Sequence, residues 1–130
     1  MSLLAKLFGP KEPEVWPVHI DDSSFESEVV RSQEPVMLDV WGPGCAPCKK
    51  LEPVILSMAK RYRGRVKVAE VNAAAAPLTM EKLGVMGTPT VVYFREGREV
   101  ERAVGVRGEL YHEEIIETEL LGLGDSEKPS

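Results

Sequence analysis

The apolar positions of this chain fall into short blocks whose period switches between two residues and three to four, the mark of strands alternating with helices. Val15 to Ile20 is apolar enough for a strand, and Pro17, which lacks an N–H, favours an edge position for it. Asp21, Asp22, Ser23 and Ser24 supply N-cap candidates for a helix running through Glu28 to about Arg31. Pro35 then opens the run Val36 to Trp41, a buried central strand interrupted only by Asp39. Leu51, Val54, Ile55, Met58 and Tyr62 recur at spacings of three and four, so a long helix is expected from about Cys45 to Tyr62, with Gly64 as its stop. Pro53 lies inside that helix and cannot donate to the carbonyl of Lys49; a kink is expected there, not an end.

Arg65 to Val71 alternates as a further strand, and Ala73 to Ala76 leads through Pro77 into a short helix, Leu78 to Leu83, stopped by Gly84. Thr90 to Phe94 and Glu99 to Ala103 flank the turn-like Arg95-Glu96-Gly97-Arg98 and read as a hairpin. Glu109 to about Leu121 carries Leu110, Ile115, Ile116, Leu120 and Leu121 and reads as the final helix. The order β-α-β-α-β-α-β-β-α implies crossovers on a mixed sheet with an antiparallel edge, an α/β fold. A chain of 130 residues suits one domain. Residues 1–14 read as an N-terminal extension, 15–121 as the domain and 122–130 as a solvated tail.

Charge and length remove several classes of partner. A net charge of −5 gives no reason to expect nucleic acid. No apolar run approaches the roughly 18 residues of a membrane span. The stretch Met1 to Pro10 is interrupted by Lys6 and lacks a small-residue cleavage site, so a cytoplasmic location is expected.

The chain has two cysteines, Cys45 and Cys48, too few for a disulfide-stapled scaffold. A metal reading needs two more ligands, and His19 and His112 are isolated, so no metal is expected within one chain, although a site shared between two chains stays open. The pair lies where the central strand gives way to the long helix. Unpaired amides and the positive end of the helix dipole both favour a thiolate there, so Cys45 is expected to be acidified. The chain reads as a thiol–disulfide protein.

Order and motif together resemble the thioredoxin family over roughly residues 15–121. Leu38-Asp39-Val40-Trp41 resembles the strand leading into that family's active site, and Cys45-Ala46-Pro47-Cys48-Lys49 is similar to its Cys-Gly-Pro-Cys-Lys. Pro53 matches its helix-kinking proline, Val85-Met86-Gly87-Thr88-Pro89-Thr90 its cis-proline loop, and Phe94-Arg95-Glu96-Gly97 its hairpin turn. Gly105 falls where the family keeps a glycine beside the substrate groove. The resemblance implies a thioredoxin fold with Cys45 as nucleophile, Cys48 as resolving thiol and Asp39, raised in pKa by burial, as the acid–base group for Cys48. It implies Trp41, Gly44, Ala46, Pro47, Thr88, Pro89 and Gly105 as the substrate-contacting surface, with Thr88 pairing its backbone to an extended peptide. Trp41 reads equally well as core, and Lys49 as a solvated helix lysine.

Three positions depart from the family pattern. Gly44 stands where a tryptophan is usual, Ala46 where a glycine is usual, and Glu70 where many relatives carry a lysine near the buried aspartate. A carboxylate at Glu70 disfavours ionised Asp39, so a higher Asp39 pKa is expected than beside a lysine. The implied activity is reduction of protein disulfides by a monomer that needs no cofactor, recharged by a thioredoxin-reductase-type donor. The alternatives are a binding module of the same fold with little general turnover, or an oxidase or isomerase.

Overall fold

A computed structural model describes residues 15–123; the expected N-terminal extension and residues 124–130 of the expected tail lie outside them. Five strands, β1 (Val18–Ile20), β2 (Val36–Trp41), β3 (Lys67–Asn72), β4 (Thr90–Arg95) and β5 (Arg98–Val104), form one sheet in the order β1-β3-β2-β4-β5. β1 and β2 both run parallel to β3, whereas β4 is antiparallel to β2 and β5 to β4. The helical elements are α1 (Glu26–Val30), α2 (Ala46–Arg61), α3 (Pro77–Leu83) and α4 (Glu109–Ile115), the last running on to Leu120. This is the mixed α/β sheet expected from the pattern, with β2 at its centre and β1 and β5 at its edges.

β2 is apolar almost throughout because both of its faces are covered. Val36, Leu38 and Val40 join Ile20, Phe25, Val29, Val71 and Phe94 in one core. Met37 points the other way, into a core that α2 supplies with Leu51, Ile55, Met58 and Tyr62, and α4 with Ile115 and Ile116. Side chains alternate along a strand, so Asp39 falls on the same face as Met37, the face that α2 covers. Its partner across the parallel ladder is Glu70. Two carboxylates are thus neighbours by register alone.

Local differences from the expected elements have physical causes. β1 starts at Val18, not Val15, since Pro17 has no N–H to give to the β3 ladder. β3 starts at Lys67 because the amides of Arg65 and Val66 still bond to the Tyr62 carbonyl, at 2.9 Å each. α1 and the end of α4 are π-helical, with Arg31 N–H donating to Glu26 and Leu121 N–H to Ile116, both at 2.9 Å. Apolar spacing does not distinguish such a turn from an α-turn. α2 runs through Pro53 to Arg61, as expected of an interior proline that does not end the helix. Asp22, expected near an N-cap, instead crosses the fold and accepts from the amides of Leu78 and Thr79 at the start of α3. Among the described residues no helix is long and apolar enough to cross a membrane.

One polar pair sits inside the core. Tyr93 Oη meets His112 Nδ1, and His112 Nε2 has no partner among the described residues. Burial, with the nearby Arg107 charge adding, pushes the imidazole down to about 4. A folded-state pKa below the unfolded value means that the unfolded chain binds the proton first as pH falls. His112 should therefore contribute its full stability above about pH 6.5 and lose it towards pH 4. In urea unfolding, the stability of the wild type relative to His112→Phe should fall by up to about 3 kcal/mol between pH 7 and pH 4. A difference independent of pH would contradict a neutral buried imidazole.

Candidate active site

β2 ends at Trp41, and Gly42-Pro43-Gly44 carries the chain to the first turn of α2. Gly44 has φ +69°, a left-handed conformation that a side chain disfavours, which gives a backbone reason for a glycine where the family usually places tryptophan. Gly42 passes close to the opposite loop: a Cβ there would lie 3.2 Å from Thr88 Oγ1. Cys45 is the N-cap of α2, not its first residue, and its Sγ accepts from the Cys48 amide at 3.2 Å. Ala46 and Pro47 form the exposed first positions of the helix, where proline's fixed φ and missing N–H are tolerated.

Cys45 and Cys48 are joined in a disulfide with a Cα separation of 5.2 Å. Cys45 is half-buried, whereas Cys48, turned towards the sheet, is buried. The Thr88–Pro89 peptide is cis. It brings Thr88 against the disulfide, with the Thr88 carbonyl oxygen 3.7 Å and Oγ1 3.6 Å from Cys45 Sγ. The Gly105 amide donates to the Pro89 carbonyl at 2.9 Å, so Gly105 borders the same loop from β5. Met86, 98% exposed, together with the exposed Val104 and Val106, gives this side an apolar rim.

Behind the disulfide lies a cavity of about 460 Å³, lined by Asp39, Trp41, Cys45, Cys48, Glu52 and Glu70 among others. Asp39 is 8% exposed, and its Oδ1 has no hydrogen-bond partner among the described residues. Burial pushes its carboxyl up to about 7, with the charges of Glu70 and Glu52 acting in the same direction. Glu70 is itself held in place: Trp41 Nε1 donates to one oxygen at 2.6 Å, and His19 Nδ1 lies 2.8 Å from the other. Trp41 therefore walls the cavity and anchors a carboxylate. Lys49 also lines the cavity, from the exposed side of α2.

The fold thus gathers all the sequence-derived positions around one disulfide, except Pro53, which lies farther along α2. Two further residues belong to the site. His19, isolated in the sequence, is set opposite Glu70 by the β1–β3 register. Glu52 is four residues beyond Cys48, on the same side of α2, a spacing that was there to be read. Among the described residues no group of three or more His, Cys, Asp or Glu side chains is placed to hold a metal.

A family model described as thioredoxin matches residues 16–117. The chain belongs to the thioredoxin family. It is 45% identical over 79 residues to a thioredoxin of Thiocapsa roseopersicina, an alignment covering 61% of this chain and 87% of that one. A thioredoxin of Allochromatium vinosum is 43% identical over 88 residues, 68% of this chain and 82% of its own. An M-type chloroplastic thioredoxin of Pisum sativum is 36% identical over 86 residues, covering 66% of this chain but only half of that longer protein. With its cysteines at disulfide distance, this thioredoxin-family chain is a thiol–disulfide oxidoreductase that reduces protein disulfides. Family membership likewise implies protein disulfides as substrates and a reductase as donor.

The position of Asp39 has a measurable cost. Its folded-state pKa lies above the unfolded value of 3.8, so its contribution to stability is intact below about pH 4 and lost as pH rises through 7. The oxidised Asp39→Asn protein should exceed the wild type by up to about 4 kcal/mol at pH 8 in urea unfolding, with the two converging near pH 4. Equal stability at pH 8 would mean that Asp39 is not buried as described. Glu70→Gln should lower the Asp39 midpoint in a carboxyl NMR titration; an unmoved midpoint would remove Glu70 as a cause and leave burial and Glu52.

Proposed function

We propose that the oxidoreductase acts as a reductant through an ordered pair of thiols. In the reduced protein, the Cys45 thiolate sits where the Cys48 amide and the helix dipole stabilise it. It attacks one sulfur of a target disulfide; the S–S bond breaks, one target sulfur leaves as a thiolate and takes a proton, and the other is joined to Cys45. Cys48 then loses its proton to the Asp39 carboxylate and attacks Cys45 Sγ. The mixed disulfide breaks, the second target thiol departs, and the protein is left with the Cys45–Cys48 disulfide. The target gains two electrons, which a thioredoxin-reductase-type donor returns to the protein.

The observation that carries this reading is the disulfide at the N-terminus of α2 with a buried, unpartnered carboxyl in the cavity behind it. An acid–base group is most useful when its pKa lies near the working pH, and about 7 meets that condition. The target chain lies extended along Thr88 and Pro89, between Gly105 and the loop Gly44-Cys45-Ala46-Pro47, with the rim of Met86, Val104 and Val106 beneath it. A monomer in the cytoplasm belongs to the same proposal.

Trapping distinguishes the roles of the two cysteines. Cys48→Ser should accumulate covalent adducts with disulfide-bearing proteins on non-reducing gels, whereas Cys45→Ser should accumulate none. Asp39→Asn should slow resolution of a preformed mixed disulfide about tenfold at pH 7, modest for general acid–base catalysis because water reaches the cavity. Equal trapping by both cysteine variants would break the assignment of roles.

A further inference from the structure

Beyond the thiol chemistry, the cavity behind the disulfide has a composition that the reductase steps do not use. It extends from Cys45 and Gly44 past Trp41 to Trp16, so it opens beside the atom that meets the target. A Cβ built on Gly44 meets no described residue within 4 Å, so among the described residues nothing crowds the approach over it. Two indoles, Trp16 and Trp41, contribute to the lining, and Trp16 is 64% exposed. Among the described lining residues, three carboxyl groups, Asp39, Glu52 and Glu70, accompany one cation, Lys49.

The acids differ in what they offer a ligand. Asp39 lines the cavity but is 8% exposed, and its Oδ1, itself buried, has no hydrogen-bond partner among the described residues. Glu52 forms no salt bridge among the described residues. Glu70 is pinned by Trp41 and His19, so its charge is fixed in position before anything binds. Acceptors in excess, aromatic faces and an open mouth together favour a cation with an apolar stem. A carboxylate entering the same space would meet the charges of Glu52 and Glu70, with Lys49 as the one charged donor among the described lining residues.

We propose that this cavity is a subsite for a cationic side chain, arginine above lysine, on the target segment next to its disulfide. The planar guanidinium stacks on indole and forks to carboxylates, which a lysine ammonium does not. The chain's net charge of −5 adds long-range attraction for basic targets. The subsite narrows the substrates to disulfides flanked by basic residues. Calling the occupant a substrate rests on the reductase reading, whereas occupancy of the cavity does not.

The test uses three otherwise identical disulfide peptides with Arg, Ala or Glu beside the cysteine. Reduction by the full chain is followed at low salt and divided by the rate with free dithiothreitol, because a neighbouring charge also changes the leaving thiol's acidity. The normalised rates should favour Arg over Glu about tenfold, and Glu52→Gln, an exposed and conservative change, should shrink that preference severalfold. Separately, a cysteine-free Arg peptide titrated into the oxidised protein should shift the Trp41 indole N–H resonance, while its Glu counterpart should not. Equal normalised rates for the three peptides, a preference untouched by Glu52→Gln, or an unmoved indole resonance would each overturn the subsite. If the indole shifts but neither the peptides nor a generic protein disulfide are reduced faster than by dithiol alone, the reductase reading falls and the subsite stands.

Discussion

The chemistry depends on a short hydrogen-bond geometry at the start of one helix. Cys45 caps α2, and the Cys48 amide, which has no partner within the helix, points at the Cys45 sulfur. That arrangement makes a thiolate at Cys45 favourable and holds the second sulfur within bonding reach of the first. It survives because the remainder of α2 is fastened to the sheet through Leu51, Ile55, Met58 and Tyr62. The Cys45 cap is half-buried, while the face of the helix that meets the sheet is buried. A reactive sulfur at the surface of a rigid support is the result.

The sheet supplies the opposing constraint. β2 must be apolar to lie at the centre, yet Asp39 interrupts it, and parallel register sets Glu70 alongside. An ionised pair there would be poorly solvated, so one proton is held to near-neutral pH. Stability is given up at Asp39, the group proposed to take the Cys48 proton. A lysine at Glu70 would relieve much of that tension; Glu70, anchored by His19 and Trp41, maintains it. The proposed cation subsite draws on the same acidic setting.

Much of this was legible from residue order. The apolar run of β2, the alternation around β3, the three-and-four spacing of α2 and the helix-stopping Gly64 and Gly84 located the elements, and the cysteine motif located the site. What escaped was whatever depends on strand register or on contacts distant in sequence. His19 could not be connected to Glu70 until β1 was known to lie beside β3. Asp22 read as a cap for the nearest helix, because nothing local reveals that α3 ends up within its reach. The π-helical turns escaped for another reason: an extra residue in a turn barely alters the apolar pattern.

Cys45 and Cys48 should form a reducing pair despite Gly44, Ala46 and Glu70. The most direct measurement is the equilibrium redox potential of that pair against a defined thiol buffer. The expected value is about −270 mV, in the range of reducing thioredoxins. A value above about −200 mV, or the failure of an intramolecular disulfide to form, would contradict it.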